Sequence, residues 1–185
     1  RDSLIISTEV GQHQMWTAQY FDFNAPRRLI TSGGLGTMGF GLGASIGAQL
    51  GKPDCKVINI AGDGSFMMNC NELATAVKNN LPIVIVIMNN NVLGMVRQWQ
   101  TLFFDGRYSN TTLDRKTDLV KLAEAFGAEG YRVTKKDELE GILEKALKSK
   151  GPVVIDYVID NDKKVFPMVA PGAPINQIIS EEDIQ

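Results

Sequence analysis

Apolar runs and helical stripes alternate along this chain. Residues 4–8 form an apolar run that stops at Glu9-Val10-Gly11, and residues 12–21 read as a helix entered through that glycine. A short strand at 29–31 feeds the glycine-rich stretch 32–39, with a helix after it. Residues 57–61 predict a strand that breaks into a loop at Gly62-Asp63-Gly64-Ser65. Leu73, Ala74, Ala76 and Val77 then mark the buried face of a helix. Leu81-Pro82 ends that helix, because the residue before a proline is pushed out of the α region. The β-branched run 83–88 follows, stopped by Asn89-Asn90.

Beyond it, Asn91 to Gly94 turns into a helix carrying Met95, Val96 and Trp99 on one side, and residues 103–113 form an aromatic, Gly- and Asn-containing loop. A helix at 118–126 closes on Gly127, where a left-handed residue suits the helix end. A strand at 131–134, a charged amphipathic helix at 136–150 and a strand at 152–159 complete the pattern. Pro167, Pro171 and Pro174 make the tail extended, and residues 175–185 are expected to lack fixed structure without partner domains. Strands apolar on both faces, alternating with helices, predict an α/β fold. Its sheet is largely parallel and doubly wound, with about six strands and helices on both faces. Gly39, Gly43 and Gly47, with Ala44 and Ala48, are expected to line the side of the second helix that packs on the sheet.

Composition narrows the classes. The 185 residues fit one domain, and a net charge of -2 gives no electrostatic case for nucleic acid or an anionic membrane. The longest apolar run is too short to span a bilayer. Cys55 and Cys70 are too few for a disulfide framework and lack zinc-ligand spacing, so they read as buried thiols in a reducing cytoplasm. Arg1 opens a chain whose first strand begins almost at once, and a piece of a longer protein is the expectation.

Candidate chemistry gathers at strand ends, where sheets of this kind bind ligands. Asp63 and Asn90 follow two successive strands. One carboxylate and one amide oxygen beside glycines suit a hard cation that keeps phosphate oxygens as its other ligands, which describes Mg²⁺ on a diphosphate. Taken singly, Gly62-Asp63-Gly64 is a tight turn and Asn89-Asn90 a strand stop. Gln12 and His13 sit where a helix N-terminus offers unpaired N–H groups to an anion, and His13 is the sole histidine. The loop 32–39 is neither a Walker loop, lacking Lys-Ser/Thr, nor a clear dinucleotide fingerprint.

GDG followed at an interval by NN resembles the thiamine-diphosphate signature of pyruvate-decarboxylase-like enzymes. GQHQMW at 11–16, ITSGGLGTMGFGLGASIGAQ at 30–49, LGMVRQWQ at 93–100, GRYS at 106–109 and FPMVAPGA at 166–173 resemble the catalytic subunit of acetolactate (acetohydroxyacid) synthase. Gly43 departs from the proline usual there, and Asn91-Val92 from a more polar pair. The resemblance implies that Gln12, His13, Gly36, Met38, Gly62, Asp63, Gly64, Ser65, Met68, Asn90, Gly94 and Met95 hold thiamine diphosphate, with Met38 wedged between its two rings. Asp63, Asn90 and the Val92 carbonyl would bind Mg²⁺, and Met95 and Trp99 would line the substrate pocket.

It further implies that residues 1–185 are the C-terminal third of a three-domain subunit using FAD elsewhere. That subunit would condense pyruvate with pyruvate or 2-oxobutanoate in branched-chain amino-acid synthesis, as a homodimer or tetramer with a regulatory small subunit. The glutamate that such enzymes place on the cofactor's N1′ has no match here, so no catalytic residue is assigned and the chain alone is expected to be inactive. Three alternatives stay open at this point. They are a pyruvate oxidase or decarboxylase, a catabolic acetolactate synthase, and a non-catalytic cofactor-binding domain.

Overall fold

The computed structural model describes residues 3–184; the expected domain limits at 1 and 185 lie outside them. Six strands, β1 (Leu4–Thr8), β2 (Leu29–Ile30), β3 (Lys56–Gly62), β4 (Ile83–Asn89), β5 (Glu129–Val133) and β6 (Val153–Val158), form one sheet in the order β2-β1-β3-β4-β6-β5. Every pairing is parallel. Two-sided burial explains the unbroken apolar runs. Ile5, Val57, Ile83, Ile85, Ile87 and Val154 face one core, while Ile6, Ile58, Val84, Val153 and Ile155 face another.

The first core is covered by α2 (Phe40–Gly51), α4 (Leu73–Lys78) and α6 (Leu119–Phe126), which contribute Leu42, Ile46, Leu73, Ala76, Leu119 and Ala123. The second is covered by α7 (Lys136–Lys148), through Leu139, Ile142, Leu143 and Ala146. α6 begins with the Asp118 carboxylate accepting the N–H groups of Val120 and Lys121, and ends at Gly127 in the left-handed conformation (φ 90°). α1 (Gln12–Tyr20) and α5 (Gly94–Phe103) flank the carboxyl ends of the strands. The winding of the sheet reverses between β1 and β3, since β1 leads outward to β2 and the chain then returns to the other side of β1. Ligand crevices form at such a reversal.

Four expectations change. Residues after β3 are not a loop: Asp63–Phe66 form a single helical turn, α3, and a 3-10 turn at Cys70–Glu72 leads into α4. Gly43 and Gly47 point away from the sheet, and the close approach is made by Gly41 instead. A Cβ on Gly41 would stand 2.6 Å from Asn59 Oδ1 and 2.7 Å from the Glu9 nitrogen. Cys55 and Cys70 are free but only partly buried. The tail carries β7 (Met168–Val169) and β8 (Ile178–Ile179), paired antiparallel, and a 3-10 turn at Glu181–Ile184.

Candidate functional site

Gly62 at the end of β3 is in register with Met88 of β4, so Asp63 and Asn90 emerge side by side. Thr8 of β1 is in register with Ile60, which brings Gly11 to His13 against the same strand end. A cavity of about 350 Å³ opens there. Its walls include Gln12, His13, Gly36, Met38, Gly62, Asp63, Gly64, Ser65, Asn90, Val92, Gly94 and Met95. Met68 is not among them: it is 60% exposed and packs its Cβ toward Gly39. Trp99 is also outside. It is 41% exposed, stacks edge-on with Phe103, and lines a neighbouring hollow with Met95, Val96, Gln100, Phe104, Arg107 and Ser109. Met95 borders both spaces.

His13 is buried, and its ring is clamped between two glycines. A Cβ on Gly11 or on Gly62 would stand 2.8 Å from its Cε1. Burial lowers its pKa to about 4, against the opposing pull of the Glu9 backbone carbonyl, so the ring is neutral near pH 7. Nε2 has no hydrogen-bond partner among the described residues, which leaves the proton on Nδ1 and an unpartnered nitrogen on a ring that borders the cavity.

Asp63 is 3% exposed, and burial pushes its carboxyl up from the ordinary value while Arg115 pulls it down. The Arg115 guanidinium donates to the Asp63 backbone carbonyl at 2.5 Å and stands 3.6 Å from its Oδ2. Asn90 Oδ1 accepts the Val92 N–H at 3.2 Å, folding the loop back on itself. Val92 forms an antiparallel bridge with Thr112, held by the Leu93 N–H and the Asn91 carbonyl. The Val92 carbonyl therefore lies outside that ladder. No cluster of three or more His, Cys, Asp or Glu exists among the described residues. A hard cation here would take one carboxylate, neutral oxygens and ligand phosphate.

Gln12 and Ser65 have their side-chain donors engaged. Gln12 Nε2 donates to Gln98 Oε1 (3.0 Å) and to the Lys163 carbonyl (2.8 Å), and its Oε1 accepts from Asn90. Ser65 donates to Glu9 Oε2 at 2.8 Å. An anion placed here would meet their backbone N–H groups in place of the side chains.

Sequence reasoning passed over two residues that stand behind this wall and hold it. Glu9, fully buried, accepts the N–H groups of Gly39 (2.8 Å) and Leu42 (3.0 Å) and thereby caps α2. Gln98 is buried on a helix whose apolar stripe gave no hint of it; it joins Gln12 to the backbone of Val165. A glutamate at a strand end carries no spacing signal, and neither does a single buried amide.

A parallel sheet with a cavity at its reversal point, a buried histidine and Asp63 beside Asn90 define a cofactor domain of α/β type. Residues 9–157 match the family of the thiamine pyrophosphate enzyme, C-terminal TPP binding domain, and the chain belongs to that family. Among curated relatives it is 49% identical over 177 residues to the acetolactate synthase isozyme 2 large subunit of Escherichia coli, covering 96% of this chain and 32% of that protein. It is equally 49% identical to the mitochondrial acetolactate synthase catalytic subunit of Saccharomyces cerevisiae, covering 96% and 26%. With the chloroplastic acetolactate synthase 2 of Nicotiana tabacum it shares 45% over 98% of this chain and 28% of the relative. The chain thus spans about a third or less of these relatives' length.

The cavity fits thiamine diphosphate on its own chemistry. The side-chain-free wall at Gly62 and Gly64 suits an anionic group held close to backbone, and the unpartnered Nε2 of His13 is free to take up a proton toward it. Above Gly64 the Met38 methyl and the Leu93 side chain, 3.7 and 3.0 Å from a notional Cβ, supply an apolar surface for a ring. Among the described residues, no helix is long and apolar enough to cross a membrane.

Proposed function

We propose that this chain is the cofactor-binding part of an acetolactate synthase, joining pyruvate to a second pyruvate or to 2-oxobutanoate for branched-chain amino-acid synthesis. The unpartnered Nε2 of buried His13, whose ring borders the same cavity as Asp63 and Asn90, is the observation that carries the reading. Bound thiamine diphosphate supplies an electron sink for decarboxylation of a 2-oxo acid. His13 can accept a proton on Nε2 and present it to an anionic oxygen, while the backbone N–H groups around Gly64 and Gly94 hold its neighbours. Asp63 Oδ, Asn90 Oδ1 and the Val92 carbonyl are the ligands assigned to Mg²⁺. Met38 supports the cofactor's rings, and Met95, shared with the adjoining hollow near Trp99, leads toward the acceptor.

Asp63 is the sole carboxylate among the described residues of the cavity wall. Glu72 is held by Asn71 and Thr75 elsewhere. The proton relay to the cofactor must then come from another domain or chain. That requirement favours a homodimer or tetramer with shared sites, while an FAD-binding domain and a regulatory small subunit are inferred from the likeness to acetolactate synthase large subunits. The free cysteines accord with a cytoplasmic setting.

In the full-length polypeptide, Asp63→Ala should abolish Mg²⁺-dependent quenching of tryptophan fluorescence by thiamine diphosphate; wild-type affinity would overturn the metal assignment. Residues 1–185 alone, given pyruvate, thiamine diphosphate and Mg²⁺, should form no acetolactate while the full polypeptide does. Turnover by the short chain would overturn the shared site.

A further inference from the structure

The two turns that carry the assigned metal ligands belong to different strands, and one short segment fastens both. Residues 111–115 run across their outer side. The Leu93 N–H donates to the Thr111 carbonyl (2.8 Å) and the Leu113 N–H to the Asn91 carbonyl (2.9 Å), which clamps the Asn90–Val92 loop. Thr111 is buried, and its hydroxyl donates to Gln100 Oε1 at 3.2 Å, so the segment is anchored to α5 as well. On the other turn, Leu113 Cδ1 stands 3.5 Å from a notional Cβ of Gly64, and Arg115 grips Asp63 at its backbone carbonyl and carboxylate. Arg115 also lines a polar hollow of about 340 Å³ that shares Asp63, Asn90 and Ile159 with the cofactor cavity.

We propose that Arg115 is a positioning residue for the metal: it pins the Asp63 turn to the 111–115 strap, and so fixes Asp63 relative to Asn90 and the Val92 carbonyl. The inference rests on the magnesium reading above. A single guanidinium nitrogen, Nη1, reaches both acceptors, donating to the carbonyl and standing beside the carboxylate. Oδ2 of the carboxylate stands toward Arg115, which limits the rotation of the group. The pin also resists the expected drift of a lone buried carboxylate toward solvent. Outer partners of metal-ligating groups typically govern affinity by roughly 10–100-fold.

The test uses Mn²⁺ in place of Mg²⁺, read by electron paramagnetic resonance, on the full-length polypeptide with saturating thiamine diphosphate. Arg115→Met should bind Mn²⁺ at least about tenfold more weakly, and Arg115→Lys should recover part of that loss. The melting temperature of the metal-free protein should stay within a few degrees of wild type, which separates positioning from folding. Wild-type or tighter Mn²⁺ binding in Arg115→Met overturns the proposal, and should that variant not fold, wild-type affinity in Arg115→Lys does so. Asp63→Ala is the reference. If Asp63→Ala also binds Mn²⁺ normally, the metal assignment itself fails; if it alone loses Mn²⁺, only the role of Arg115 fails.

Discussion

The imidazole of His13 rests against Gly62 so closely that a methyl group there would stand 2.8 Å from both its Cε1 and its Nδ1. Gly62 has ordinary extended backbone angles (φ -98°, ψ 154°), so an alanine would be tolerated by the chain and refused only by the ring. Gly62→Ala should therefore tilt His13 out of the cavity and weaken thiamine diphosphate by about tenfold or more, a loss of roughly one charge-assisted hydrogen bond. Unchanged affinity in a fluorescence titration would remove the ring from the site.

His13 also makes stability depend on pH. Its pKa falls from 6.5 in the open chain to about 4 when buried. The unfolded state therefore binds the proton more readily, and stability rises with pH between those values. The contribution is complete above pH 6.5 and declines as pH drops toward 4, by about 3 kcal/mol in all. Urea unfolding of residues 1–185 at pH 5 and pH 7 should show this slope, and His13→Phe should flatten it. An equal slope in the variant would place the titration elsewhere.

Asp156 ties the far side of the site together. From the buried centre of β6 it accepts Asn89 Nδ2 at 2.8 Å and Arg132 Nε at 3.0 Å, while Asn89 Oδ1 accepts the Asn91 N–H at 3.2 Å. Asp156→Ala should cost about 2–3 kcal/mol, toward the lower end for a broken buried pair because Arg132 can turn to water. The measurement is the midpoint of urea unfolding; a shift below about 0.5 kcal/mol, the usual size for surface changes, would make the pair dispensable.

The parts of this fold that announce themselves are the ones with a single physical cause. Residues 83–88 are apolar throughout because β4 is covered on both faces, and Asp118 with Gly127 brackets α6 through its own end chemistry. Features set by three-dimensional neighbours left no such trace. A stripe of glycines has no hydrophobic phase, so α2 was assigned the wrong face, and Gly41 makes the approach that Gly43 and Gly47 were expected to make. Asp63 and Asn90 were legible from strand ends alone. Arg115 was not, because a charged residue in a polar loop looks the same whether it meets solvent or a buried carbonyl. Met68 resembled a cofactor-contacting residue by motif, yet it lies outside the cavity wall, whereas Trp99 lines the neighbouring hollow together with Met95.

Trp99 offers a test of the neighbouring hollow. It stands one helical turn beyond Met95 and presents its ring edge-on to Phe103 with centroids 5.9 Å apart. If acceptors reach this wall, the extra methyl of 2-oxobutanoate meets the indole, and one methylene is worth about 1–3 kcal/mol. Trp99→Leu in the full-length polypeptide should lose most of the preference for 2-oxobutanoate over pyruvate while turnover persists. An unchanged product ratio in a competition assay would exclude the contact.

Glu9 and Gly11 sit two residues apart, yet they treat two helix starts in opposite ways. The Glu9 carboxylate discharges the positive end of α2, whereas α1 starts at Gly11 with no side-chain cap. An elongated ligand with one anionic end and one uncharged planar end therefore meets an inequality along the crevice. Its anion is welcome beside α1 and repelled beside α2, where a fixed negative charge already waits. Reversing such a molecule end for end would set like charges together and leave the open helix start facing a ring. The crevice is thus polarised before anything enters it, and that polarity favours one direction of entry over the other.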